Sequence, residues 1–191
     1  MDLIPVTDLK QWAYCERIVY CRRAMPAVGK PTFKMKEAVA AQDLMESLEV
    51  RRGLKEYGLE GARRRFNVWL RDESLGLSGK LDLLLEAPEE VAVVDFKLTS
   101  GEVGQNHRVQ LAAYCLLAEG ACGVPARRGF VYRIPDSRVF ALDVTDEIRR
   151  VVSASVAAIR EMAETQCCPE PTSVRGRCVD CEFINYFADV W

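Results

Sequence analysis

Between Phe66 and Lys97 the chain changes hydrophobic period, and that change decides its fold class. Phe66, Val68 and Leu70 alternate with polar neighbours, the two-residue repeat of a strand. Ser78–Glu86 and Val91–Lys97 read as two more strands, joined by the turn Ala87-Pro88-Glu89-Glu90. On both sides the pattern is helical. Residues 7–24 carry an imperfect apolar stripe of Leu9, Trp12, Ala13, Ile18 and Val19, with Thr7 or Asp8 able to cap its start. A loop holding Pro26, Gly29 and Pro31 precedes a second expected helix from about Lys34 to Tyr57, ending near Gly58. Beyond the break at Gly101–Gly104, a helix is expected from about Gln105 to Glu119. A hairpin of Gly129–Ile134 and Arg138–Leu142 then turns around Pro135-Asp136. Thr145 can cap a last helix running to about Thr165, with Glu147 in its first turn. The tail from Cys167 is irregular, broken by Pro169, Pro171 and Gly176. The order predicts a mixed α and β (α+β) fold with a mostly antiparallel sheet, as one domain over 1–191. It divides into a helical part at 1–60, a core at 61–145 and a cysteine-bearing tail at 166–191.

The 191 residues match one domain of about 150 with a small appendage, and 49% apolar with 28% charged residues argues against disorder. Apolar runs such as Leu83-Leu84-Leu85 and Val91-Ala92-Val93-Val94 are too short to span a bilayer. The start, MDLIPVTDLKQWAYC, lacks the basic and apolar segments of a secretion signal. A cytoplasmic protein with no membrane partner is expected. A formal net charge of −2 excludes a whole-protein positive field for nucleic acid. It leaves local clusters: Arg22-Arg23, Arg51-Arg52-Lys55, Arg63-Arg64-Arg65 and Arg127-Arg128. Each alone reads first as a solvated face. A phosphate-binding loop is excluded, because Gly79-Lys80 is followed by Leu81 and lacks the upstream glycine.

Eight cysteines stand at 15, 21, 115, 122, 167, 168, 178 and 181. In a reducing compartment they point to metal or cluster ligation before disulfides. Cys178-Val179-Asp180-Cys181 is the one pair with ligand spacing, open to a zinc half-site, a redox motif, an iron–sulfur half-site or no role. Cys115, among Ala and Leu on a helix, reads as core, and Cys122 as incidental.

Two strands carry carboxylates where apolar residues belong. Asp82 interrupts Leu81 to Leu85, while Asp95 and Lys97 close the run from Val91. Strand side chains alternate, so Asp95 and Lys97 share a face, Phe96 packs opposite, and Asp82 can lie beside them on the next strand. Two carboxylates suit a hard cation such as Mg²⁺ or Mn²⁺, which activates water and steadies a leaving phosphate oxygen. The lysine can orient the water or meet developing charge. The plainer alternative is a solvated strand end with a surface ion pair. Gln110 and Tyr114, one helical turn apart, can hold a DNA end or a water, or simply mark a core boundary.

In order, Gly79 to Asp82 (G-x-x-D), Asp95 to Lys97 (D-x-K) and Gln110 to Tyr114 (Q-x-x-x-Y) resemble the RecB-like branch of the PD-(D/E)xK nucleases. Tyr14 to Arg17 (Tyr-Cys-x-Arg) and the C-terminal C-x-x-C narrow the resemblance to the CRISPR-associated Cas four family. The resemblance implies a restriction-endonuclease-like core, a central mixed sheet flanked by helices. An iron–sulfur cluster of the 4Fe–4S type would join the two ends of the chain. It also implies Mn²⁺- or Mg²⁺-dependent cleavage of DNA, trimming single-stranded overhangs of prespacers beside the PAM for the Cas one–Cas two integrase. Asp82 and Asp95 would bind the metal, with the Phe96 carbonyl. Lys97 would be the catalytic lysine, and Gln110 and Tyr114 would complete the site.

Two positions depart from that pattern. Gln42 stands where the family has a metal-binding histidine, with Glu46 one turn later, so weakened metal affinity is expected. The sole histidine, His107, is expected on the surface or in the groove. Phe187 stands where the family has a third C-terminal cysteine. Cys15, Cys178 and Cys181 carry over as cluster ligands; Cys21 is the first choice for the fourth, Cys167 or Cys168 the second, and zinc remains open. The cluster would fasten the tail to the first helix and contribute folding free energy. Two other readings stand beside the nuclease: a DNA-end or PAM recognition subunit gating the integrase, and a metal-bearing structural protein.

Overall fold

A computed structural model describes residues 2–25, 49, 53–98, 101–179 and 181–187. Its elements run β1 (Ile4–Pro5), α1 (Val6–Tyr14), α2 (Glu16–Ala24), β2 (Arg63–Asp72), β3 (Leu77–Glu86), β4 (Val91–Lys97), α3 (Gln105–Cys122), β5 (Arg128–Arg133), β6 (Arg138–Asp143) and α4 (Asp146–Thr165). All six strands form one mixed sheet. β3 is its hub. One edge of β3 pairs antiparallel with β2 from Leu77 to Glu86. The other edge is divided: β4 pairs antiparallel with Leu83–Glu86, and β1 pairs parallel with Leu77 and Ser78. β4 and β5 are parallel, which needs a crossover, and α3 supplies it. The sheet is mostly antiparallel, as expected, through β2–β3, β3–β4 and β5–β6; the β1–β3 and β4–β5 ladders are parallel.

Two cores lie on opposite faces of the sheet. On one, Leu81, Leu84, Val91, Val93 and Val131 pack against α1, α3 and α4. α3 is enclosed on nearly every side, and all ten residues from Val109 to Ala118 are buried. On the other face, Leu83, Leu85, Val94, Phe96 and Phe130 meet Leu54, Tyr57 and Leu59. Each fully buried Leu or Phe contributes about 1.5–3 kcal/mol, so the strand positions are fixed from both sides. The alternation breaks once. Phe66 and Val68, two residues apart, lie in different cores, as do Leu83 and Leu81 across from them. Between them sit Asn67, in the left-handed region at φ 55, and Asp82. There β2 and β3 exchange inner and outer faces.

Several boundaries depart from the sequence reading. The first helix is two, broken at Cys15, whose backbone is extended at φ −162 and ψ 116. Cys15 and Cys21 thus do not share a helix. α1 starts after Pro5, with neither Thr7 nor Asp8 as its cap. Most of the second expected helix lies outside the described residues; its end is a 3₁₀ turn, Leu54–Tyr57, closed by Gly58 at φ 61. β2 is ten residues, longer than the alternation indicates, and α3 continues past Glu119 to Cys122. β1 is too short for any periodicity to show. The α4 cap is as expected: Thr145 Oγ1 accepts from the Ile148 N–H at 3.4 Å.

The tail is held by the N-terminal helices. Arg17 Nε donates to the Pro169 carbonyl at 2.6 Å, and Arg177 Nη1 to the Tyr14 carbonyl at 2.6 Å. Arg22 pairs with Glu182 at 3.1 Å, and the Arg17 guanidinium stacks 4.7 Å from the Phe187 ring centre. Among the described residues, no helix is long and apolar enough to cross a membrane.

Candidate active site

β3 and β4 separate after Leu83 and Val94, and the candidate site is the wedge between them. A regular ladder would continue to Asp82 and Asp95. Instead, Asp82 Oδ2 accepts the Phe96 N–H at 2.9 Å, taking the place of a strand carbonyl. The opening is a cleft of about 280 Å³ lined by Thr7, Lys80, Asp82, Asp95, Lys97, Gln110 and Tyr114, with Phe96 in its wall. Asp95 is 2% exposed. Lys97 Nζ lies 2.7 Å from Asp95 Oδ2, close enough for an ion pair but off the angle of a hydrogen bond. Removing both charges from water costs more than such a pair commonly returns in stability, so the plain surface-ion-pair alternative does not describe this geometry.

α3 closes the cleft from above. Gln110 and Tyr114 are both buried and lie side by side on the cleft, and Gln110 Oε1 has no hydrogen-bond partner. Burial first, and then the Asp95 charge, holds the Tyr114 phenol above its usual range. The ring sits directly on β3: a Cβ on Gly79 would stand 2.6 Å from Tyr114 Cε1 and 3.3 Å from Val6. The glycine of G-x-x-D is thus a steric requirement of the phenol's seat.

The structure adds residues that the sequence patterns do not single out. Lys10, one turn after Thr7 on α1, is half-buried and makes no hydrogen bond or ion pair with a described residue. Burial, then repulsion by Lys97, pushes its ammonium down to about 8, with Asp95 and Asp82 pulling back. His107, expected on the surface or in the groove, is half-buried in the first turn of α3. Burial, then Lys10 and Lys97, pushes it down to about 4, and its Nδ1 is buried without a partner. Lys80 joins them because β3 turns its outer face toward the cleft. The spacing of Thr7 and Lys10 on one helical face was the available signal for Lys10, but α1 offers nothing in sequence that ties it to β4.

The carboxylates of Asp82 and Asp95 at the cleft are hard oxygen donors, which suit Mg²⁺ or Mn²⁺. Gln42 and Glu46 lie outside the described residues. The cysteines gather elsewhere. Cys15, Cys178 and Cys181 line one cavity between α2 and the tail, with Phe187 in its wall. Cys21 is buried beside Ile18 and Phe183, and burial, then Cys168, Cys181 and Cys15, pushes its thiol up to about 11. Cys167 and Cys168 are exposed. The donor chemistry fits a thiolate-bound centre, although among the described residues no three His, Cys, Asp or Glu side chains are arranged to hold an ion. Cys115 is core, its thiol pushed up to about 12 by burial. Cys122 contacts Glu86 at 3.9 Å. Several candidate basic clusters are ion-paired: Arg22 with Glu182, Arg23 with Asp8, Arg65 with Glu86 and Arg128 with Glu90. Arg51 and Arg52 lie outside the described residues.

Residues 8–186 match the PD-(D/E)XK nuclease superfamily. The chain is 27% identical over 186 residues to the CRISPR-associated exonuclease Cas4 of Francisella tularensis subsp. novicida, covering 97% of this chain and 94% of that protein. It is 26% identical over 186 residues to the CRISPR-associated exonuclease Cas4 of Aeropyrum pernix, covering 94% and 92%. Among solved structures, that of SSO0001 superposes with a TM-score of 0.63 at 19% identity, over 100% of this chain and 88% of that one.

Proposed function

This chain belongs to the PD-(D/E)XK nuclease superfamily, and from that premise we propose that it is a Cas4-type, divalent-metal-dependent DNA exonuclease. It trims single-stranded ends of prespacers beside the PAM, in partnership with the Cas one–Cas two integrase. The observation that supports this best is the convergence of Asp82, Asp95 and Lys97 on one cleft where β3 and β4 part. The two Cas4 relatives, matched over nearly the whole chain, support the CRISPR setting.

In this reading Asp82, Asp95 and the Phe96 carbonyl hold Mg²⁺ or Mn²⁺, with Gln42 as a further, weaker donor. The bound cation supplies a polarised phosphodiester and a water of lowered pKa. Lys97, already facing Asp95, orients the attacking water and meets charge on the phosphate. Gln110 presents its unpaired Oε1 to that water, and the Tyr114 hydroxyl, held protonated, donates within the site. Cys15, Cys21, Cys178 and Cys181 hold a 4Fe–4S cluster that ties the tail to α1 and α2.

Labelled single-stranded and 3′-overhang DNA, incubated with Mn²⁺ with and without the integrase, tests the enzyme. Asp95→Ala and Lys97→Ala should each lower cleavage by about a hundredfold or more. Cutting at the parental rate by Asp95→Ala sinks the reading. The cluster is tested on anaerobically purified protein by its visible absorbance and iron content. Cys178→Ala should lose both and melt at a lower temperature; parental melting would remove the structural role.

A further inference from the structure

Trp69 lies on β2 with 73% of its surface exposed. Large aromatic side chains are rarely left so open without a use. Across the ladder it pairs directly with Lys80, which lines the acidic cleft. Cross-strand partners stand about 4.5–5.5 Å apart at Cβ, so indole and ammonium share one patch. Arg71, two residues along β2 and therefore on the same face, is exposed opposite Ser78. Neither Lys80 nor Arg71 makes an ion pair among the described residues. The exchange of faces at Asn67 and Asp82 creates this patch. With unbroken alternation, Trp69 would follow Arg65 onto the helix-covered face.

We infer that this outer face of β2–β3 is a stacking platform for single-stranded DNA leading into the cleft. A nucleobase lies on the Trp69 indole, Arg71 and Lys80 hold backbone phosphates to either side, and the strand passes Lys80 toward Asp82 and Asp95. The inference rests on the nuclease reading and adds the surface on which its single-stranded substrate is held. An aromatic face receives an unpaired base, and alternating aromatic and cationic side chains are how single strands are held without sequence preference. A protein partner is less well matched. The core of a protein interface is depleted of charge, lysine above all, whereas Trp69 stands directly beside Lys80, with Arg71 on the same face. The patch is also continuous with the cleft through Lys80, as a substrate track must be.

Affinity for an oligothymidylate of about 12 nucleotides, followed by anisotropy in EDTA so that nothing is cut, tests this directly. Trp69→Ala should weaken single-strand binding about tenfold or more, and Trp69→Phe should recover most of it. Lys80→Ala should flatten the dependence of log affinity on log salt by about one, which Trp69→Ala should leave alone. Thermal melting confirms that each variant is folded. Parental single-strand affinity in Trp69→Ala, or an equal loss for duplex of the same length, overturns the platform. So does unchanged DNA affinity together with loss of self-association in sedimentation, which would assign the face to a protein. The nuclease reading fails separately: parent protein that shows the Trp69 dependence but never cuts DNA with Mn²⁺ refutes cleavage and leaves the platform standing.

Discussion

Replacing Lys10 with methionine should make the metal-free protein more stable near neutral pH. The native cleft keeps this ammonium half-buried, beside Lys97 and without an ion pair to a described residue. Burial and that repulsion lower it from 10.5 to about 8. At 1.36 kcal/mol per pH unit, the difference corresponds to about 3 kcal/mol, which partial solvent screening reduces to about 1–2 kcal/mol. The sign follows from proton linkage. Below about pH 8 the group is charged in both states and the native state bears the full cost. Between about 8 and 10.5 the unfolded chain still binds a proton that the native state has released, so stability rises with pH. Above that window the group is neutral in both states and its cost is gone. Urea unfolding of parent and Lys10→Met in EDTA across this range isolates the effect, since other titrating groups cancel in the difference. The variant should lead by about 1–2 kcal/mol near pH 7, and its lead should vanish by about pH 10.5. A constant difference, or a less stable variant near pH 7, refutes the electrostatic argument. Weaker DNA binding alongside the gain in stability would identify the charge as one kept for phosphate.

Gly79→Ala should cost about 1–3 kcal/mol, because its methyl would collide with the Tyr114 ring at 2.6 Å. Melting and cleavage should fall together, and a parental melting temperature would show that the ring has room to move. His107 should make the protein lose stability as pH falls from about 6.5 to about 4, since the unfolded chain takes up a proton that the buried imidazole refuses. His107→Gln should flatten that limb of the acid-unfolding curve; identical curves count against a buried neutral histidine.

The acidic strands were legible because they violate their own pattern. Charged residues in apolar runs such as Leu81 to Leu85 and Val91 to Phe96 mark positions where a strand is not only a strand. Val91–Lys97 was correct to the residue, and the Thr145 cap announced α4. Other features depend on distant partners. Cys15 breaks a helix that local propensity would continue, because the tail's Arg177 engages the Tyr14 carbonyl. The parallel pairing of β4 with β5 is a property of the α3 crossover, invisible in either strand's alternation. Asn67 and Asp82 face each other across a ladder, so the exchange of faces shows only once β2 and β3 are in register. Lys10 and His107 come from separate helices and meet only over β4. The identities of Asp82, Asp95 and Lys97 carried chemical information, while the residues surrounding them carried only geometry.

The bonds between the tail and the first two helices set an order of assembly. Their partners lie 152 to 163 positions apart along the chain. At about 5–20 residues per second, a ribosome releases the Cys15 segment many seconds before the strand of peptide that covers it. Through that interval Ile18 and Cys21 have no Phe183 against them, and the nascent amino terminus must be shielded by a chaperone or tolerate solvent. Any centre built on sulfurs from both segments can therefore be loaded only after Cys178 and Cys181 have emerged, which makes its maturation a separate step from synthesis of the helices it fastens.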